Sequence, residues 1–138
     1  TEVEQYNGTI VFEGIIDCSE KCLANGIPVG LGTDTGCPFI THYDMWREIV
    51  YFHKYCGVSN KFALYTATKR NAEIAHIDDI TGTVEPGKCA DLIVTEKNPI
   101  DDLTALRDVK MVMARGKLIR EPKVKKYENV ERELDKFL

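Results

Sequence analysis

The sequence predicts an α/β unit that passes into a β-rich unit and closes on a charged helix. Three observations carry this reading: a helix–loop–strand order between Val11 and Asp34, a change to turn-rich sequence after Ile80, and helically spaced apolar residues among the charges of the C-terminal segment. The 138 residues hold 18 Lys+Arg and 22 Asp+Glu, for a formal net charge of −4, and 43% are hydrophobic, a globular composition. This mild acidity lacks the positive footprint that nucleic acid or anionic lipid requires, so neither is expected as a partner. No apolar run approaches the roughly 20 residues of a membrane helix. Residues 1–5 lack the basic start and apolar middle of a secretion signal, and with Thr at position 1 the natural start is expected to lie elsewhere. Cys18, Cys22, Cys37, Cys56 and Cys89 are odd in number and irregularly spaced, which predicts reduced thiols and a cytoplasmic location.

In chain order, Phe12, Ile15, Ile16, Cys22 and Leu23 fall mostly on one helical face, and Asn25-Gly26 supplies a left-handed stop. Ile27, Val29 and Leu31 then alternate with Pro28, Gly30 and Gly32, predicting a strand over 27–34 that ends at Asp34. Residues 35–40 read as a loop containing Gly36 and Pro38. Thr41 and Asp44 have capping-box spacing before a helix expected from about Tyr43 to Cys56, with Trp46, Ile49, Val50 and His53 on its apolar face. Gly57 stops that helix, and Ser59 caps another carrying Phe62, Ala63, Ala67, Ala72 and Ile74. Beyond Ile80, Pro86-Gly87 occupies the centre of a type II turn. Leu92-Ile93-Val94 reads as a buried strand, Val109–Met113 as another, and Ala114–Lys117 as a tight turn into Leu118-Ile119. Asn98-Pro99 interrupts the chain before a short helical turn. Tyr127, Val130, Leu134 and Phe137, at steps of three or four, predict an amphipathic terminal helix.

Asp34 is the leading chemical candidate, because a carboxylate where a strand stops can ligate a divalent metal or take a proton from water. From spacing alone it reads equally as a cap for the next helix. His42 follows in the same loop, where an imidazole can bind a carboxylate or polarise a carbonyl, or simply join the first helical turn. His53 and His76 sit within helices, where packing explains them. Cys18 and Cys22, four apart, lack the second pair that a zinc site needs. Cys37 has no neighbouring base to make it a nucleophile, and Gly30 with Gly32 is too little for a phosphate loop.

Val29-Gly30-Leu31-Gly32-Thr33-Asp34 resembles the last barrel strand of the metal-dependent amidohydrolase superfamily. Ala63–Thr68 with Asn71-Ala72 resembles the helices after that strand, and the stretch Gly82–Val94 resembles the return to the family's small β-sandwich. Residues 98–103, Val109–Met113 and Gly116-Lys117 are similar to the imidazolonepropionase-like and prolidase-like branch, so the resemblance covers roughly Val11 to Ile119.

The resemblance implies an α/β plus β architecture: the end of a (β/α)8 amidohydrolase barrel over 1–80, β-sandwich strands over 81–119, and a charged helix over 120–138. It implies that Asp34 binds a metal and serves as general base, and that His42 touches substrate. It implies a divalent metal, zinc in one or two copies, held mainly by histidines and a mid-barrel carboxylate that this sequence does not contain. The parent is expected to hydrolyse a C–N bond in a dipeptide or N-acyl amino acid, with a cyclic amidase, a deaminase or a non-catalytic assembly module as alternatives. The chain by itself is expected to be inactive and without tightly bound metal. Its open edges predict self-association into a homo-oligomer.

Overall fold

The computed structural model describes residues 1–138. Five α-helices, with shorter helical turns, pack beside one three-stranded antiparallel sheet. The first helix, α1 (Glu2–Ala24), begins at a Thr1/Glu4 capping box: the Thr1 side chain accepts from the Glu4 N–H, and the Glu4 carboxylate accepts from the Thr1 nitrogen. It therefore starts nine residues before the apolar pattern does, because a well-capped start propagates through exposed sequence. None of its residues is buried.

Helix α2 (Met45–Cys56) is the centre of the molecule. Trp46, Ile49, Val50 and Phe52 are buried and pack with Ala63, Leu103 and Leu106. Phe52 takes the place on this face that the spacing offers to His53, which is exposed and instead places Nδ1 2.6 Å from the carbonyl oxygen of Val58. The expected capping box does not form. Asp44 is the N-cap residue but makes no side-chain cap bond, because its carboxylate accepts from the Thr41 hydroxyl at 2.6 Å and from Arg47 Nε at 3.1 Å. Gly57, at φ +66°, ends the helix in the left-handed conformation its sequence predicts.

Ser59 caps α3 (Asn60–Tyr65), accepting from the Phe62 N–H. The same helical run continues through a π-helical segment (Thr66–Arg70) into α4 (Asn71–Ile74). Gly82, at φ +91°, then passes so close to this run that a Cβ on it would lie 2.5 Å from the Ala72 Cβ. That contact gives the glycine of the Gly82-Thr83-Val84 stretch a physical role, since both the space and the backbone angle require the absence of a side chain.

Strands β1 (Leu92–Thr95), β2 (Val109–Ala114) and β3 (Lys117–Arg120) form the sheet in the order β1-β2-β3. Arg115 and Gly116, at φ +48° and +78°, make the two-residue hairpin turn between β2 and β3. Asp91 braces that turn from outside, accepting from the Arg115 N–H at 2.7 Å and from the Thr81 hydroxyl at 3.0 Å. One expectation is corrected here. Leu92-Ile93-Val94 is a strand but an exposed one, with the three residues 37%, 53% and 44% exposed. No second sheet covers it, and the three strands make a single layer.

A second correction concerns residues 27–34, which do not form a strand. Their period-two pattern suits a sheet, yet a strand exists only by pairing, and no backbone edge lies beside them. Val29 and Leu31 still pack against the core. The terminal helix is also shorter and differently docked than its apolar spacing predicts. Helix α5 (Glu128–Leu134), followed by a 3-10 turn (Asp135–Phe137), buries Glu131. That charged face meets the buried Arg47, whose guanidinium contacts Glu131 at 3.0 Å and Asp135 at 2.6 Å. Arg107 joins the same two carboxylates at 2.9 and 3.0 Å. Tyr51 and Tyr55 hydroxyls and the Lys54 ammonium of α2 donate to the carbonyls of Leu134 and Phe137, which satisfies the open end of the terminal helix.

Candidate active site

Asp34 lies on the exposed turn between α1 and α2, with its backbone in the left-handed region at φ +48°. Aspartate tolerates that conformation better than most residues, at a cost of order 1 kcal/mol. Gly36 at φ +116° and Phe39 at +64° fold the loop back on itself. The Cys37 N–H donates to the Asp34 carbonyl at 3.2 Å, the Ile40 N–H to the Cys37 carbonyl at 3.0 Å, and the Gly36 N–H to the Ile40 carbonyl at 3.3 Å. Asp34 and Phe39 are the two non-glycine residues of the loop in the left-handed region, a local strain that Gly36 does not share.

Below this turn the chain is held by one side chain. The Leu31 N–H donates to Asn71 Oδ1 at 2.9 Å, and Asn71 Nδ2 donates to the Leu31 carbonyl at 2.9 Å. Asn71 comes from α4, forty residues along the chain, and the sequence reading noticed it only as part of a resemblance.

Asp34 shares a cleft of about 510 Å3 with Thr33, Ile40, Glu48, Tyr51 and Phe52. Glu48 is the acid that sequence reasoning missed. Burial, and then the negative charge of Asp34, push its carboxyl above the usual range. Its signal was positional: Glu48, Phe52 and Cys56 recur every four residues on α2 and all face this cleft. The arrangement sets an exposed carboxylate beside a half-buried acid whose proton affinity is raised, a combination found where protons are moved and also in purely structural acid pairs.

His42 is exposed, eight residues beyond Asp34, with its ring edge-on to Tyr43 at 5.4 Å, and it does not line the cleft. His53 lies at the far end of α2, and His76 terminates the α4 run at φ +56°. The structure therefore brings Asp34 and Glu48 together and leaves the three histidines apart. All five cysteines are free thiols, with Cys37 exposed in the Asp34 loop. No three His, Cys, Asp or Glu side chains converge as a metal would require. One or two carboxylates do not make a divalent centre, so the residues of this chain do not fit a metal site on their own. No helix is long and apolar enough to cross a membrane.

A family model described as the amidohydrolase family matches residues 13–119. Imidazolonepropionase from Picrophilus torridus is 33% identical over 88 residues, which are 64% of this chain and 21% of that protein. Among solved structures, a candidate prolidase from Bifidobacterium longum superposes with a TM-score of 0.93 at 37% identity, over 99% of this chain and 33% of that one. A Xaa-Pro dipeptidase crystallised with methionine in its active site gives a TM-score of 0.68 at 34% identity, over 77% of this chain and 25% of its own. The chain thus spans between a fifth and a third of the length of these relatives.

Proposed function

The chain belongs to the amidohydrolase family, and from that premise we propose that it supplies the Asp34-bearing end of an α/β barrel in a hydrolase of small amides or dipeptides. The observation that carries the reading is Asp34 itself, a carboxylate presented on a left-handed turn that lines a cleft shared with the half-buried acid Glu48. The likeness to structures named as prolidase and Xaa-Pro dipeptidase supports a dipeptide as the substrate class.

In this reading Asp34 accepts a proton from water as the water oxygen bonds to the carbonyl carbon. It then returns that proton to the amide nitrogen as the C–N bond breaks. His42, on the outer loop and outside the cleft lining, is proposed to contact the part of the substrate that projects beyond the cleft. The divalent metal that the family implies, with zinc expected, needs ligands beyond these residues. The 138 residues alone are accordingly proposed to turn over no substrate. Five free thiols support a cytoplasmic site of action, and the exposed strands β1 and β3 support self-association.

The test is Asp34→Asn in the full-length polypeptide in which this sequence occurs, assayed for release of proline from Xaa-Pro dipeptides. The amide keeps the shape and loses the base, so kcat is expected to fall by about 10²–10⁴-fold with KM little changed. Retention of wild-type kcat/KM would remove Asp34 from the mechanism.

A further inference from the structure

Asp34 sits at the end of a segment whose Val29 and Leu31 side chains pack on the core but whose backbone has a single anchor. From Pro28 to Thr33, Leu31 is the only residue whose backbone makes a hydrogen bond, and both of its bonds go to the Asn71 carboxamide. One amide group accepting from an N–H and donating to the C=O of the same residue reproduces a rung of an antiparallel ladder. We propose that Asn71 is a positioning residue for Asp34: its side chain stands in for a neighbouring strand and fixes the register at which residues 28–33 deliver the carboxylate to the cleft. That this register serves catalysis rests on the reading of Asp34 given above.

Two further features of the fold agree. Gly30 lies against this clasp so closely that a Cβ there would meet Asn71 Oδ1 at 2.9 Å and Ile74 Cδ1 at 3.2 Å, so the glycine leaves room for the amide. The π-helical segment Thr66–Arg70 ends immediately before Asn71. One extra residue in a turn rotates everything after it by about 100°, which sets the direction in which Asn71 leaves its helix. Asp34 is three residues past Leu31, within about 10 Å of the clasp along the chain. A slip there moves the carboxylate directly, because Asp34 has no side-chain partner of its own among the hydrogen bonds of the loop.

The experiment compares Asn71→Ala, Gly30→Ala, the double variant and Asp34→Asn in the full-length polypeptide. Amide hydrogen exchange followed by mass spectrometry, without substrate, is expected to rise ~10-fold at Leu31 in Asn71→Ala while the α2 peptides stay protected. Asn71→Ala is expected to lower kcat by about a hundredfold with KM within about twofold, as misplacement of a base does. Gly30→Ala alone is expected to reproduce both effects by pushing the amide aside, and to add little in the Asn71→Ala background, where only the flexible end of Ile74 remains close.

Unchanged exchange at Leu31, or equal Gly30→Ala effects in both backgrounds, overturns the clasp. A general rise in exchange together with a raised KM assigns Asn71 to stability alone and overturns the positioning role. If Asn71→Ala does not fold, Asn71→Asp serves instead: it keeps the acceptor, loses the donor, and is expected to show intermediate exchange. If Asp34→Asn retains activity, the catalytic reading fails with the kcat arm, and exchange with the double variant still decides the clasp.

Discussion

Helices α1 and α2 flank the Asp34 turn and show two ways of making a helix. The longer, with 23 residues, buries none of them; the shorter, with 12, buries five. Helix α1 stands on its capping box and local backbone bonds, and touches the rest through few side chains, such as Phe12 edge-on to Tyr55 at 5.0 Å. Helix α2 is gripped on two sides, by the core beneath it and by Arg47 reaching the terminal helix. The contrast teaches that anchoring here comes from tertiary partners rather than length. It also places the lightly anchored side of the candidate site upstream of Asp34 and the firmly packed side downstream.

Arg47 is where the downstream side breaks most readily. Its guanidinium is 2% exposed, lies over the Trp46 ring at 4.4 Å, and meets Asp44, Glu131 and Asp135. Burial lowers its proton affinity, but the hydrogen bonds it donates to the Asp135 and Asp44 carboxylates, with the adjacent Glu131 carboxylate, more than restore it. Arg47→Ala leaves buried acids without their cation, and is expected to cost about 3–5 kcal/mol in urea unfolding. The terminal helix should be released first, seen as loss of exchange protection over residues 128–137. A loss below ~1 kcal/mol would show that Arg107 alone holds the acids and that the firmly packed side has no single keystone.

These two regions were unequally legible. The α2 face, the Gly57 stop, the Pro86-Gly87 turn and the β2–β3 hairpin all follow from local rules, because each is decided within a few residues. Gly87 indeed takes φ +93°. The start of α1 was readable in Thr1 and Glu4, but the apolar period drew attention to Val11 instead. Residues 27–34 misled because alternation describes a surface and not the partner that must pair with it. Arg47 was invisible for a different reason: charge predicts exposure, and only Asp44 at its own helix's N-cap together with Glu131 and Asp135 from the distant terminal segment makes its burial tolerable. In the candidate site, Asp34 was legible as a polar residue where an apolar run stops. Glu48 and Asn71 were not, since their roles depend on which way a helix turns.

Acid tests the same side more gently. Burial alone would raise the Asp135 carboxyl, but Arg47 and Arg107 outweigh it and hold it below the usual carboxylate range. A carboxyl with a lowered folded pKa contributes stability that is fully present above its unfolded value, near 3.9, and lost as pH falls through the folded one. The urea midpoint is therefore expected to hold from about pH 7 to 5 and decline below about pH 4, with terminal-helix protection going first. In Arg47→Ala that decline should flatten. An equally steep acid loss in the variant would place the sensitive group elsewhere.

The smallest effect belongs to α1. Phe12 is 46% exposed and offers Tyr55 one aromatic edge, while Phe52 on α2 is 6% exposed within the core. Phe12→Ala removes one partly wet aromatic pair, and is expected to cost about 1 kcal/mol, with exchange rising along α1 and not along α2. Truncating a buried phenylalanine costs about 3–5 kcal/mol by comparison. If Phe12→Ala cost that much, α1 would have to be counted with the core. The cleft lined by Phe12, Tyr51 and Asp34 would then be rigid on both walls, and delivery of Asp34 would depend on α1 as well as on Asn71.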